Sequence, residues 1–157
     1  MAPNQQPIFI RQGDLSSNNG TGATANMASI LTNGLVADFN GTGTSYRLVF
    51  TADPTYGSFL QRLRIKANCT GANIAAGGVL RVFINNGGDQ TIAVNNAFFG
   101  EISAPAVQAT NIASTVDLDY WMNLPLPPGF RVYVGWAAGY LPGGTEGWAV
   151  TPVGGVY

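Results

Sequence analysis

The chain has no histidine and a single cysteine in 157 residues, and only seven basic and eight acidic side chains. Without histidine it lacks the usual general base at neutral pH, the Ser–His and Cys–His nucleophile pairs, and the commonest metal ligand. One cysteine, Cys69, excludes an internal disulfide framework and reads as a small, partly buried residue. The charged fraction is 10%, against about 25% in an average globular protein. A net charge of -1 argues against nucleic-acid binding, which needs a basic footprint. No stretch reaches the roughly 18 apolar residues of a membrane helix, so no membrane association is expected. The opening MAPNQQPIFIRQGD lacks the basic start, apolar run and cleavage site of a secretory signal, and synthesis and retention in a cytoplasm are expected.

What is present is apolar and loop-rich. Hydrophobic residues make up 46% of the chain and glycine occurs 21 times, which fits a folded chain and not a disordered one. So weakly charged a surface predicts contact with other protein over much of its extent. At this length one domain, 1–157, buries roughly 70% of its unfolded surface. Residues 1–6 are expected as an extended N-terminal arm and 12–26, rich in Ser, Asn, Gly and Thr, as a polar loop. Residues 8–10 read as a first short strand. Residues 27–32 and 35–39 flank Asn33-Gly34, a dipeptide suited to a two-residue hairpin; a helical turn over 25–31 is the competing reading. Further strands are expected at 46–51, 59–67, 79–85, 97–103, 116–121, 131–137 and 147–151. The segment 124–129, Leu-Pro-Leu-Pro-Pro-Gly, is expected as a rigid connection, because proline offers no N–H to a ladder. Gly135-Trp136-Ala137 and Gly147-Trp148-Ala149 echo each other and read as two strands of one C-terminal hairpin. Eight or nine short strands without a long helix predict an all-β fold, an antiparallel β-sandwich, and within that class a jelly roll of about eight strands.

The densest patterning lies in 58–88. Leu63, Ile65 and Ala67 alternate with Arg62, Arg64 and Lys66, so an apolar face and a basic face are expected on one strand. On the next, Leu80, Val82 and Ile84 share one face, and Val79, Arg81 and Phe83 the other. The basic row Arg62, Arg64 and Lys66, with Arg81 alongside, is the candidate partner-binding patch. The competing reading is a solvated strand face that discourages edge pairing. Asp117 and Asp119 point the same way on a strand; paired carboxylates can hydrolyse glycosides or bind Ca²⁺, but alternation with Val116, Leu118 and Tyr120 already explains them. Residues 85–89 lack the spaced ligands of an EF-hand and read as a turn. Trp121, Trp136 and Trp148 could stack on sugar rings, although the last two sit in strand-like runs that suit a core. Three Asn-X-Thr triplets, at Asn19, Asn40 and Asn68, are read as chance. No catalytic residue, cofactor site or metal site is assigned.

Several segments together resemble the small β-sandwich proteins that decorate or cement the capsids of tailed bacteriophages. They are Pro7-Ile8-Phe9, residues 63–67, residues 80–88 (LRVFINNGG), Phe99-Gly100-Glu101, residues 124–129 (LPLPPG), residues 147–151 (GWAVT), and the closing Gly154-Gly155-Val156-Tyr157. They run in order over most of the chain from Tyr56 onward, and the resemblance is least in 12–55. The resemblance implies a virion structural protein on the capsid exterior, bound between capsomers to the major capsid protein. It implies self-association as a homotrimer or homodimer, no enzyme activity and no cofactor. The alternative is a carbohydrate- or receptor-binding module of a phage tail or fibre, using Trp121 or Trp136 as a stacking platform.

Overall fold

The structure, a computed structural model, describes residues 8–9, 29–31, 39–43, 46–68, 74–75, 77–108, 116–137 and 147–156. The expected arm 1–6, the loop 12–26, the Asn33-Gly34 turn and Cys69 lie outside the described residues. Period-two patterning sets the principal strands. In β4 (Ser58–Asn68) Leu63, Ile65 and Ala67 are buried while Arg64 and Lys66 are exposed. In β6 (Gly78–Asn85) Leu80 and Val82 enter the core. In β10 (Arg131–Trp136) Val132 and Val134 do the same, with Tyr133 facing the other way.

The remaining strands are β1 (Ile8–Phe9), β2 (Ser29–Leu31), β3 (Arg47–Thr51), β5 (Ile74–Ala75), β7 (Asn96–Ala104), β8 (Val107–Gln108), β9 (Asp117–Leu126) and β11 (Gly147–Val156). One sheet runs β1-β11-β4-β9, with β2 also paired to β11; the other runs β3-β10-β6-β7. β5 and β8 form a small antiparallel pair of their own. If β1 and β2 count as one strand and this pair is set aside, eight strands remain. First pairs with eighth, second with seventh, third with sixth and fourth with fifth, all antiparallel. That nesting, a long folded-over hairpin rolled into two sheets, is the jelly roll. The expected fold class and strand count hold.

A single cluster fills the space between the sheets, and in it Trp136 and Trp148 stack with ring centroids 6.4 Å apart and planes 18° from parallel. Trp136 belongs to β10 and Trp148 to β11, in opposite sheets. The two Gly-Trp-Ala runs are therefore not a hairpin; the echo places two indoles face to face across the core.

The proline-rich segment also differs from expectation. Leu124, Pro125 and Leu126 continue β9 in register with β4, and only 127–130 turns. β9 is an edge strand, where a missing N–H faces outward and costs no ladder bond. Pro152, inside β11, is tolerated for a related reason: it falls between the positions paired to β2 and to β1.

A second, smaller cluster of Tyr46, Phe83, Tyr133 and Leu48 lies on the outer face of the β3-β10-β6-β7 sheet. Residues 39–43 lie over this face. The Phe39 ring packs edge-on against Phe98, 5.3 Å between centroids. Gly41, at φ 71°, comes so close to the sheet that a Cβ would sit 2.8 Å from Cδ1 of Phe83. The Gln90 amide donates to the carbonyls of Gly41 and Gly43, and Asn96 donates to that of Asn40 at 3.2 Å.

Candidate functional site

The outer face of the β11-β4-β9 sheet holds three of the four basic residues singled out in the sequence. Arg62, Arg64 and Lys66 on β4 stand opposite Trp121, Asp119 and Asp117 on β9. Ion pairs run diagonally across this ladder. Arg64 Nε donates to both carboxylate oxygens of Asp117, at 3.0 and 3.1 Å, and its terminal nitrogen also contacts Oδ2. This hydrogen-bonded guanidinium holds the Asp117 carboxyl below its ordinary range, and the same pairing raises the Arg64 pKa. Arg62 Nε lies 3.4 Å from Asp119, within ion-pair range, yet makes no aligned hydrogen bond and is buried. Its guanidinium carbon sits 4.9 Å from the centroid of the Trp121 ring, a cation–π contact. Lys66 is exposed and makes no ion pair among the described residues. The patch is thus two basic residues matched to two acidic ones, with one lysine at its margin.

Arg81 is not part of it. β4 and β6, with only the two-residue β5 between them in the chain, belong to opposite sheets, so alternation within each strand could not say whether their basic faces meet. Arg81 instead pairs with Glu101 at 2.9 Å, and its guanidinium lies 3.7 Å over the Phe39 ring. Asp117 and Asp119 occupy the solvent face that alternation predicts.

The tryptophans divide as well. Trp136 is 2% exposed and Trp148 fully buried, so neither can offer a ring face to a ligand. Trp121 is 54% exposed, but Arg62 lies against its ring.

A further surface went unread in the sequence. It is the end of the sandwich where the turns 52–57, 86–95 and 127–130 meet. Gly129 N donates to Asp53 O, Ala52 N to Phe130 O, and Arg131 to Gly88 O. Gly87, at φ 92°, lies against the carbonyl of Gly129, where a Cβ would not fit. The charged side chains here, among the described residues, are Asp53, Asp89 and Arg131; the two aspartates are tied to their own turns and Arg131 to the turn 86–95. Asp53 accepts from the amides of Thr55 and Tyr56, at 2.8 and 2.7 Å. Asp89 accepts from the amide and hydroxyl of Thr91, and the amide bond chiefly lowers its pKa. Beside the exposed Thr55, Asn86, Asp89 and Thr91, large apolar side chains face water: Val94 is 89% exposed, Tyr56 68% and Ile92 50%. Asn85-Asn86-Gly87-Gly88-Asp89 announces a turn, but nothing in its pattern tells that the aliphatic residues after it point outward. Among the described residues no group of His, Cys, Asp and Glu could hold a metal ion. No described helix is long and apolar enough to cross a membrane.

No protein-family model matches the chain, and no curated protein does. Among solved structures it is similar to a mutant of a family 29 carbohydrate-binding module. That likeness has 12% identity over 90% of this chain and 89% of the other, with a TM-score of 0.23, too low to carry an argument about ligand.

Proposed function

We propose that this protein is a structural component of a tailed-phage virion, decorating or cementing the capsid exterior by binding between capsomers. The supporting observation is the distribution of its surface chemistry. Arg62, Arg64 and Arg81 are engaged with Asp119, Asp117 and Glu101 within the molecule. Large hydrophobic side chains are exposed as well, among them Phe39, Tyr56, Val94, Phe98 and Trp121. Protein–protein contact cores are likewise enriched in aromatics and depleted in charge. The segments that carry the phage resemblance fall on the frame of the sandwich, in β4, β6, β7, the end of β9 and β11. They are scaffold residues, and since a fold hosts many functions the surface must decide between them.

In this reading the partner is the major capsid protein, and self-association as a trimer or dimer matches the local symmetry between capsomers. The basic row is demoted from principal contact to a self-matched block with Lys66 at its edge. The deciding experiment counts copies of this protein in purified virions against the major capsid protein, by quantitative mass spectrometry. Hundreds of copies in a simple ratio are expected. A few dozen would move the protein to the tail, and absence from particles would overturn the reading. The exposed Trp121 favours one rival, glycan binding at a tail or fibre. A glycan panel that quenches Trp121 fluorescence would support it, and a flat response would remove it.

A further inference from the structure

We infer that Asn86-Gly87, at the start of the turn joining β6 to β7, is a latent deamidation site. The native turn holds the Asn86 carboxamide away from reaction, and opening of the turn converts it irreversibly to aspartate or isoaspartate. The inference concerns the chain itself and stands whatever particle the chain belongs to. The chemistry needs only water. Gly87 N attacks Asn86 Cγ, a new C–N bond closes a succinimide ring, and the Cγ–Nδ2 bond breaks. Ammonia leaves, carrying the proton that Gly87 N gives up. Water then opens the ring at either carbonyl: one opening gives aspartate, the other isoaspartate, in which the main chain runs through the side-chain carbon.

A side chain on the residue after asparagine shields its nitrogen from this attack, and glycine has none. The turn requires that glycine: Gly87 sits at φ 92°, and a Cβ would lie 2.8 Å from the Gly129 carbonyl oxygen. Asn86 is also exposed, so water reaches it. The fold counters this lability by engaging each group the reaction uses. Gly87 N donates to Asn85 Oδ1 at 2.8 Å. That acceptor is itself fixed, because Asn85 is fully buried and its Nδ2 donates to Asn96 Oδ1 at 2.8 Å. The Asn86 carboxamide is held at both ends. Its Oδ1 accepts from Gly88 N at 2.9 Å, and its Nδ2 donates to Asn95 Oδ1 at 3.2 Å. Asn86 N donates to Asn95 O at 3.0 Å. Ring closure requires Gly87 N to lose its proton and the carboxamide to turn towards it, so these bonds must open first.

The product cannot rebuild the turn. A carboxylate at position 86 has no N–H for Asn95 Oδ1 and adds a negative charge near Asp89. Isoaspartate lengthens the main chain beside Gly87, whose contact with Gly129 leaves no slack. Each conversion therefore leaves the turn open.

Wild-type protein is incubated at mildly alkaline pH, folded and unfolded in guanidinium chloride, and conversion at position 86 is followed by peptide mapping. Conversion in the folded protein is expected to be at least about tenfold slower than in the unfolded chain, since every tie lowers the population of the open turn. Asn95→Ala, which frees Asn86 Nδ2, is expected to speed folded-state conversion roughly threefold or more. Asn95→Asp keeps an oxygen for Asn86 Nδ2 but loses the same Nδ2 bond to Asp89 O, and should stay near the wild-type rate. Asn85→Ala, which frees Gly87 N, should also speed conversion; Asn85 is buried and its loss weakens the fold as well, so the Asn95 pair decides. Folded wild type converting as fast as the unfolded chain, or equal rates in the two Asn95 variants, overturns the inference. The converted fraction, separated by anion exchange, is expected to exchange amide hydrogens faster over 86–95 than unconverted protein; unchanged exchange overturns the irreversible opening.

Discussion

Two small chemical details decide how single residues behave. Arg64 and Asp117 lie on an open sheet face, where screening keeps an ion pair's contribution to stability slight, but the pairing still fixes a titration. The folded Asp117 carboxyl lies below its ordinary value of 3.8, chiefly through the Arg64 hydrogen bond. Its contribution is therefore complete above the unfolded value and is lost as pH falls through the folded one. In an NMR titration Asp117 should turn at lower pH than a free aspartate, and in Arg64→Gln its midpoint should rise; an unmoved midpoint would show that Arg64 is not the cause. The second detail is the seam between the edge strands β7 and β9. Gly100 abuts the Tyr120 hydroxyl so closely that no Cβ fits, while the Tyr120 ring packs edge-on against Phe99. Gly100→Ala should cost about 1–3 kcal/mol by overpacking, and Tyr120→Phe should restore much of it by removing the oxygen in the way. A double-mutant cycle with no coupling would refute that contact. Burial raises the Tyr120 pKa above 10.0, so its stabilising effect is complete below that pH and fades as pH climbs towards the folded value.

At the level of strands, the β11 irregularity at Val153/Gly154 is fixed by close approach to β4. A Cβ on Gly154 would strike the Phe59 carbonyl, which is backbone and cannot rotate away. Gly154→Ala is accordingly predicted to destabilise by about 1–3 kcal/mol, measured by urea unfolding, and an unchanged midpoint would rule out the collision. This is also the level at which the limits of sequence reading show. Alternation in β4 and β10 told which residues enter the core, because a half-buried strand writes its two faces directly into the chain. It could not tell which strands share a sheet. Arg81 lies near Arg62 and Arg64 in the chain and the two Trp runs repeat, yet neither nearness nor repetition puts strands in one sheet. A jelly roll pairs strands that are far apart in the chain. Pro125 suggested an end to pairing, whereas edge position makes it harmless. The outward aim of Ile92 and Val94 was illegible because the turn that carries them is held partly by bonds to residues 40–43, which are distant in the chain.

Across the whole molecule the two sheets are joined by one core, and Trp136 and Trp148 are its largest buried side chains. Because each comes from a different sheet, their stack tests whether the sandwich behaves as a unit. Trp136→Ala should cost about 3–5 kcal/mol through lost burial and a residual cavity. For a domain of this size each kcal/mol lowers the melting temperature by roughly 2–4 °C. If the sheets stabilise each other, the variant melts early but still in a single cooperative step; two resolved transitions would show that they unfold separately. The indole nitrogen adds a finer expectation. Trp136 Nε1 is buried without a hydrogen-bond partner, and an unmet donor costs about 1–3 kcal/mol. Trp136→Phe removes that donor together with part of the ring, so its loss should be well below that of Trp136→Ala, on the order of 1 kcal/mol or less. A phenylalanine variant as unstable as the alanine one would mean that the indole N–H is satisfied in solution, by a buried water between the sheets.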